Sequence, residues 1–227
     1  MAEAPNRRPL KSRSTGWAQG LAAALAGADV SPDLISAASI AFAALGGALL
    51  LWAGAATSWP LRAALFVGAA VSIQLRLLCN LLDGLVAVEH GRGSSAGPIW
   101  NELPDRVADV LFLAAAGYSA SARGMPGAVE AGWVCAALAL TTAYVRELGR
   151  GLGFAADFSG PMAKPHRMAA LTLTAVLSAI EPVWGWRGQG LMIGLVIIAL
   201  GAALTVARRT ATLARRLAER DDHGGSP

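Results

Sequence analysis

Two stretches of this chain carry no charged residue: Leu34 to Leu61 and Gly188 to Ala207. Each is long enough to cross a bilayer as a helix, which takes ~20 mostly apolar residues. The composition agrees: of 227 residues, 55% are hydrophobic and 15% charged, against ~45–50% and ~25% in soluble domains. A soluble globular enzyme is therefore not expected, and neither is a disordered chain, which is poor in apolar residues.

Between the two clear runs lie four weaker apolar segments, 62–83 (interrupted by Arg76), 106–124, 127–146 and 168–187, each bounded by Pro, Gly or charged residues. The expected fold is all-α: an integral membrane domain of six transmembrane helices over residues 31–207. A basic segment and an N-terminal amphipathic interfacial helix (1–30) precede it, and a basic and polar cytoplasmic tail (208–227) follows. The N-terminal helix is read from Trp17, Leu21 and Leu25 at four-residue spacing behind basic residues. A signal peptide is the alternative, disfavoured by the short apolar stretch and by Pro32 and Asp33 leading straight into a span.

Six spans place Arg7, Arg8, Lys11, Arg13, Arg92, Arg106, Arg146, Arg150, Lys164, Arg167, Arg208, Arg209, Arg215, Arg216 and Arg220 on one side, and Arg62, Arg123 and Arg187 on the other. Lys and Arg accumulate on the cytoplasmic side, so both termini are expected in the cytoplasm, in a bacterial-type inner membrane. The net charge of +4 then reflects membrane orientation. No interleaved aromatic platform suggests nucleic acid. Cys79 and Cys135 sit in apolar stretches, too few for a metal site and poorly suited to a disulfide framework. No tandem repeat is visible, and much of the Gly and Ala content serves close helix packing.

Ionisable residues in or beside spans cost ~2.5–3.5 kcal/mol each at a helix centre, so their placement is informative. They gather at one place: Arg76, Asn80 and Asp83 near the end of the second span, and Glu102, Asp105 and Asp109 at the start of the third. Arg76, Asn80, Asp83 and Ala87 form one helical stripe, and Asp105 and Asp109 another. Two adjacent helices would bring these stripes face to face as a pocket of three carboxylates and one amide. Hard divalent cations such as Mg²⁺ take oxygen ligands completed by substrate phosphates. Gly84 and Ala87 leave this face without bulk where a substrate would come close. The bland alternative is a set of structural ion pairs, with Arg76 and Arg106 capping helix ends.

The segments NLLDGLVA (80–87) and NELPDRVAD (101–109) resemble the signature of the CDP-alcohol phosphatidyltransferase family, D-x-x-D-G-x-x-A-R, a spacer, then G-x-x-x-D-x-x-x-D. The chain departs from it at Asn80 (first Asp), Val88 (Arg) and Asn101 (Gly), and its spacer is four residues longer. The resemblance implies a membrane phosphotransferase of phospholipid biosynthesis. It would move a substituted phosphate from a CDP-activated donor, CDP-diacylglycerol or another CDP-alcohol, to an alcohol hydroxyl with release of CMP.

It further implies Asn80, Asp83, Asp105 and Asp109 as ligands of Mg²⁺ or Mn²⁺, Asp109 also as general base, and Gly84 and Ala87 against the nucleotide. Asp33, in the turn that opens the first span, joins the nucleotide set. Arg76 or Arg92 would stand in for the missing motif Arg. A second polar set, Arg146, Lys164 and Arg167, suits an anionic acceptor or lipid phosphate, although membrane anchoring explains it as well. His166, His90 and Glu89 are more simply solvated. GRGLGF (149–154) follows no strand and is no dinucleotide loop. The family is commonly dimeric, so a homodimer is implied as an option.

Three other readings compete. Intramembrane prenyltransferases use Asn/Asp motifs with Mg²⁺ but need more spans. A small transporter would show repeats or broken helices. A degenerate, non-catalytic nucleotide- or lipid-binding membrane protein would account for Asn80 and Val88.

Overall fold

The structure, a computed structural model, describes residues 15–91 and 95–224. The basic segment ahead of residue 15, with Arg7, Arg8, Lys11 and Arg13, lies outside the described residues, as does Arg92. Within them the chain forms seven α-helices: α1 Gly16–Gly27, α2 Pro32–Ala55, α3 Trp59–Glu89, α4 Gly97–Ala122, α5 Ala128–Gly151, α6 Lys164–Ile180 and α7 Gln189–Gly224.

The helix starts are written locally. Ser31 caps α2, its Oγ accepting from the Leu34 backbone N–H at 3.2 Å, with Pro32 preset for the first helical position and Asp33 beside the positive end of the helix dipole. Ser58 caps α3 in the same way, its Oγ accepting from the Leu61 N–H at 3.5 Å. This second cap divides the uncharged run 34–61, so α2 stops at Ala55 and α3 begins at Trp59.

Four helices, α2, α3, α5 and α7, are long and apolar enough to cross a membrane. The protein is thus an all-α membrane-associated fold with several apolar helices. The six expected spans are met by length and composition in these four. The other two candidates fall short for physical reasons: α4 carries Glu102, Asp105, Arg106 and Asp109 in its first half, and α6 has 17 residues.

Helix α2 packs on both α3 and α4, α4 on α5, α5 on α7, α7 on α6, and α6 returns to α3. The ring therefore does not follow chain order. Helices α3 and α4, which carry the two halves of the motif, meet only sparsely, and α2 packs on both. Small residues permit the close approaches: a Cβ on Gly117 of α4 would lie 2.5 Å from the Ala128 carbonyl oxygen, and one on Gly132 of α5 would lie 2.7 Å from that of Leu113. Helix α1 rests on α3 through Ala18, Ala22 and Ala26, all buried among Leu82, Leu85 and Val86. Trp17 and Leu21, on which the amphipathic reading rested, are exposed.

The end of the bundle away from the motif is held by capped turns. Arg62 donates to the Ala56 carbonyl at 3.2 Å, and Trp59 Nε1 to that of Ala179 at 2.9 Å. Buried Glu181 accepts from the backbone N–H groups of Gly188 (2.7 Å) and Gly190 (2.6 Å). Trp52, Trp59, Trp133, Trp184 and Trp186 are exposed around this end, the enrichment expected where a bundle meets a headgroup layer. At the opposite end α7 does not break at Arg208 but continues to Gly224, so residues read as a polar tail are helix, and Arg209 among them is 5% exposed.

Candidate active site

Helices α3 and α4 bring the motif residues to the end of the bundle opposite those tryptophans, α6 adds two cations, and each carboxylate there is held by its own partner. Arg76 of α3 is completely buried and donates through Nη2 to Asp105 Oδ1 at 2.7 Å. Asn80 Nδ2, one turn on, donates to the same oxygen at 3.2 Å. From α6, Lys164 Nζ donates to Asn80 Oδ1 at 2.7 Å and to Asp105 Oδ2. Asp109, one turn beyond Asp105 on α4, is fully buried and its Oδ2 accepts from Arg167 Nη2 at 2.5 Å. Arg167 is fixed further by donating to the Met162 carbonyl at 3.2 Å.

Asp83 is held from α2, a helix with no place in the motif. Ser36 Oγ donates to Asp83 Oδ2 at 2.6 Å, and Ser39 Oγ donates to the Ser36 carbonyl at 2.7 Å. The remaining oxygens, Asp83 Oδ1 and Asp109 Oδ1, are buried without a hydrogen-bond partner.

The expected stripes are thus present, and they meet where Arg76 and Asn80 of α3 donate to Asp105 of α4. Among the described residues no group of three or more His, Cys, Asp or Glu side chains converges on a single point. Three internal cations, Arg76, Lys164 and Arg167, stand against the three carboxylates there. Even so, the donor set suits a hard divalent ion: buried carboxylate oxygens lacking partners carry a desolvation cost that a cation would relieve.

Of the residues placed against the nucleotide, Gly84 and Ala87 are half-buried on α3 beyond Asp83, and Asp33 is half-buried in the first turn of α2. Val88, where the signature has Arg, is 60% exposed. Glu102 does not join the carboxylates but ties α4 to α5, accepting from Arg106 Nη2 at 3.0 Å and Arg146 Nη2 at 2.5 Å. His166, His90 and Glu89 are exposed.

Beside the carboxylates lies a small recess bordered by Arg106, Arg146, Lys164, Arg167 and Arg209, with Thr142 and Phe158. The Arg146 guanidinium sits over the Phe158 ring, 5.4 Å from its centroid. Arg209 donates to the Ser159 carbonyl at 2.9 Å and the Thr142 carbonyl at 2.8 Å, so α7 holds the α5–α6 connection in place. In that connection Asp157 is opposed by partial burial, but hydrogen bonds from Ser159 and the charges of Arg209 and Arg216 keep its carboxyl below the usual range. The sequence reading missed Ser36, because a serine in an apolar run carries no signal. It missed Arg209 because composition alone assigned it to a tail.

No family model matches the chain. It is 26% identical over 185 residues to the phosphatidylinositol phosphate synthase of Mycolicibacterium smegmatis, covering 80% of this chain and 77% of that protein. It is 29% identical over 195 residues to the phosphatidylinositol phosphate synthase of Streptomyces avermitilis, covering 85% and 75%. The fold is similar to the crystal structure of Mycobacterium tuberculosis phosphatidylinositol phosphate synthase with CDP-DAG bound, with TM-score 0.72 and 19% identity over 86% of this chain and 92% of that one. The same enzyme in complex with manganese and citrate gives TM-score 0.71 and 20% identity, over 86% and 88%.

These likenesses accord with the signature resemblance carried by residues 80–87 and 101–109 to the CDP-alcohol phosphatidyltransferase family. Within that family's signature, the acid at the first position is the neutral Asn80, and its oxygen is already engaged by Lys164. The lost motif Arg would have stood on an exposed face, whereas Arg76 is wholly buried against Asp105. Arg76 is thus a structural counter-ion of the site's carboxylate.

Proposed function

We propose that this protein is a membrane phosphotransferase of phospholipid biosynthesis. It would transfer the substituted phosphate of a CDP-activated donor, CDP-diacylglycerol foremost, to a hydroxyl of an anionic acceptor, with release of CMP. The observation that carries this reading is the juxtaposition of two partnerless buried carboxylate oxygens, Asp83 Oδ1 and Asp109 Oδ1, with a recess bordered by five cations. One side suits a metal-bound diphosphate and the other an acceptor that brings its own negative charge.

Asp83, Asp109 and Asp105, with the Asn80 carbonyl oxygen, would hold a divalent cation, Mg²⁺ or Mn²⁺. Such an ion supplies charge stabilisation at a transferring phosphoryl group. The chain does the rest. Arg167 grips Asp109 Oδ2, leaving Oδ1 to accept the proton of the attacking hydroxyl. Arg146, Lys164, Arg167 and Arg209 would hold the acceptor's anionic group and orient its hydroxyl toward the donor. Gly84 and Ala87, with Asp33, would face the nucleotide. The names of the two relatives point to an inositol phosphate as acceptor.

In this reading α4 and α6 also cross the membrane, their charged ends gathered at the site, for six spans in all. The site end faces the cytoplasm and the tryptophan end faces away, with α1 in the interface. The basic N-terminal segment and the end of α7 then lie on the site's side.

The test is CMP release by purified protein with Mg²⁺ or Mn²⁺, CDP-diacylglycerol and a panel of acceptors: inositol phosphate, glycerol phosphate, free inositol and serine. Release with a phosphorylated acceptor, and none with the uncharged ones, is expected. Release with free inositol or serine alone would contradict the anionic acceptor. No release with any pair, despite nucleotide binding, would identify a non-catalytic binder.

A further inference from the structure

Two cations can claim the same oxygens in this site. Lys164 Nζ donates to Asn80 Oδ1 and Asp105 Oδ2, both of which the metal reading above assigns to a divalent ion. Lys164 also borders the basic recess. The other recess cations that approach the carboxylates are tied down. Arg167 is 1% exposed and bonded at both ends of its fork. Arg106 is held by the Glu102 carbonyl and carboxylate. Lys164 differs, being a compact ammonium on a flexible stem at the first residue of α6. An ammonium and a divalent ion on the same two oxygens repel one another and cannot both be accommodated.

We propose that Lys164 is a displaceable counter-ion that couples the metal to the acceptor. When a divalent ion takes Asn80 and Asp105, the ammonium turns into the adjoining recess and adds its charge to those of Arg106, Arg146, Arg167 and Arg209. Metal and anion then strengthen each other's binding by one common factor, as linkage requires. The acceptor is gripped firmly only after the ion has arrived, which favours loading of the donor diphosphate first. The inference rests on the metal reading under "Proposed function".

The experiment is calorimetry of Mn²⁺ binding to the full chain, with sulfate as the anion probe against chloride at equal ionic strength. Sulfate is expected to tighten Mn²⁺ binding about 10-fold, and Mn²⁺ to tighten sulfate binding equally. Lys164→Met is expected to bind Mn²⁺ without sulfate as tightly as the wild type does with it, and to lose the coupling. Coupling of undiminished size in Lys164→Met would mean direct attraction between ion and sulfate, and would overturn the proposal.

A second readout needs no variant. Lys164 is one of two lysines in the chain, the other being Lys11, so reductive methylation with formaldehyde can be followed at each by mass spectrometry. Mn²⁺ should raise the rate at Lys164 several-fold relative to Lys11; no change at Lys164 at Mn²⁺ concentrations that saturate binding refutes the displacement alone. A wild type that binds no divalent ion refutes the metal reading itself, and the coupling with it.

Discussion

Ser36 and Asp83, 47 residues apart, share a buried 2.6 Å hydrogen bond in which the hydroxyl holds Oδ2 and leaves Oδ1 without a partner. The bond joins α2 to α3 and sets which carboxylate oxygen is available. Groups that orient a metal ligand commonly carry 10–100-fold of affinity. Ser36→Ala is accordingly expected to weaken Mn²⁺ binding at least about 10-fold, measured by calorimetry, with Ser36→Thr recovering most of it. Unchanged affinity in Ser36→Ala would remove Asp83 as a ligand oriented from α2.

Asp109→Asn retains a hydrogen-bond acceptor for Arg167 but cannot take up a proton. CMP release should fall by about 100-fold or more. Single-turnover measurements with preloaded donor would separate this from loss of binding; a normal single-turnover rate would exclude Asp109 as the base.

Arg76 and Asp105 form an ion pair whose side chains are 0% and 8% exposed. Removing one partner of a buried pair strands the other and costs about 3–5 kcal/mol. Arg76→Met should lower thermal stability in detergent well beyond an exposed control such as Arg215→Met. Equal melting of the two variants would mean that Lys164 and Asn80 together satisfy Asp105.

The Gly117–Gly132 crossing leaves no room for a side chain, since a Cβ on Gly132 would lie 2.9 Å from the Gly117 Cα. Overpacking of this kind costs about 1–3 kcal/mol. Gly132→Ala should reduce thermal stability and, by shifting α4 against α5, lower CMP release. Melting like the wild type would show that the helices part without cost.

The carboxyl of Asp157 lies below its ordinary value of 3.8, so its contribution to stability is complete above that pH and is lost as pH falls through the lower folded value. Asp157→Asn should melt earlier than the wild type at pH 7, the gap closing as the solution is acidified below 3.8. A gap that persists in acid would assign the effect to the Ser159 hydrogen bond as a neutral contact.

Much of this was legible in the sequence because it is locally encoded. The uncharged runs give α2 and α7, and Ser31-Pro32-Asp33 marks where α2 begins. The i, i+4 spacing of Arg76 and Asn80, and of Asp105 and Asp109, already placed them on shared faces. Helix neighbours were not legible: spans two and three are consecutive in the chain, yet they touch only sparsely and both pack mainly on α2, because ring order is decided by packing of small-residue faces that have no local signature. The same limit hid the partners. Arg167 and Lys164 were recognisable as cations near the site, but their pairing with Asp109 and Asp105 depends on α6 returning to α3.

Gly46 of α2 ties three helices at one point. A Cβ there would come within 2.5 Å of the Phe112 ring of α4 and 2.9 Å of the Ser72 Cβ of α3. Both neighbours would have to give way to a bulkier residue, so the way the two carboxylate-bearing helices close on α2 is constrained by a position that itself touches none of the motif carboxylates.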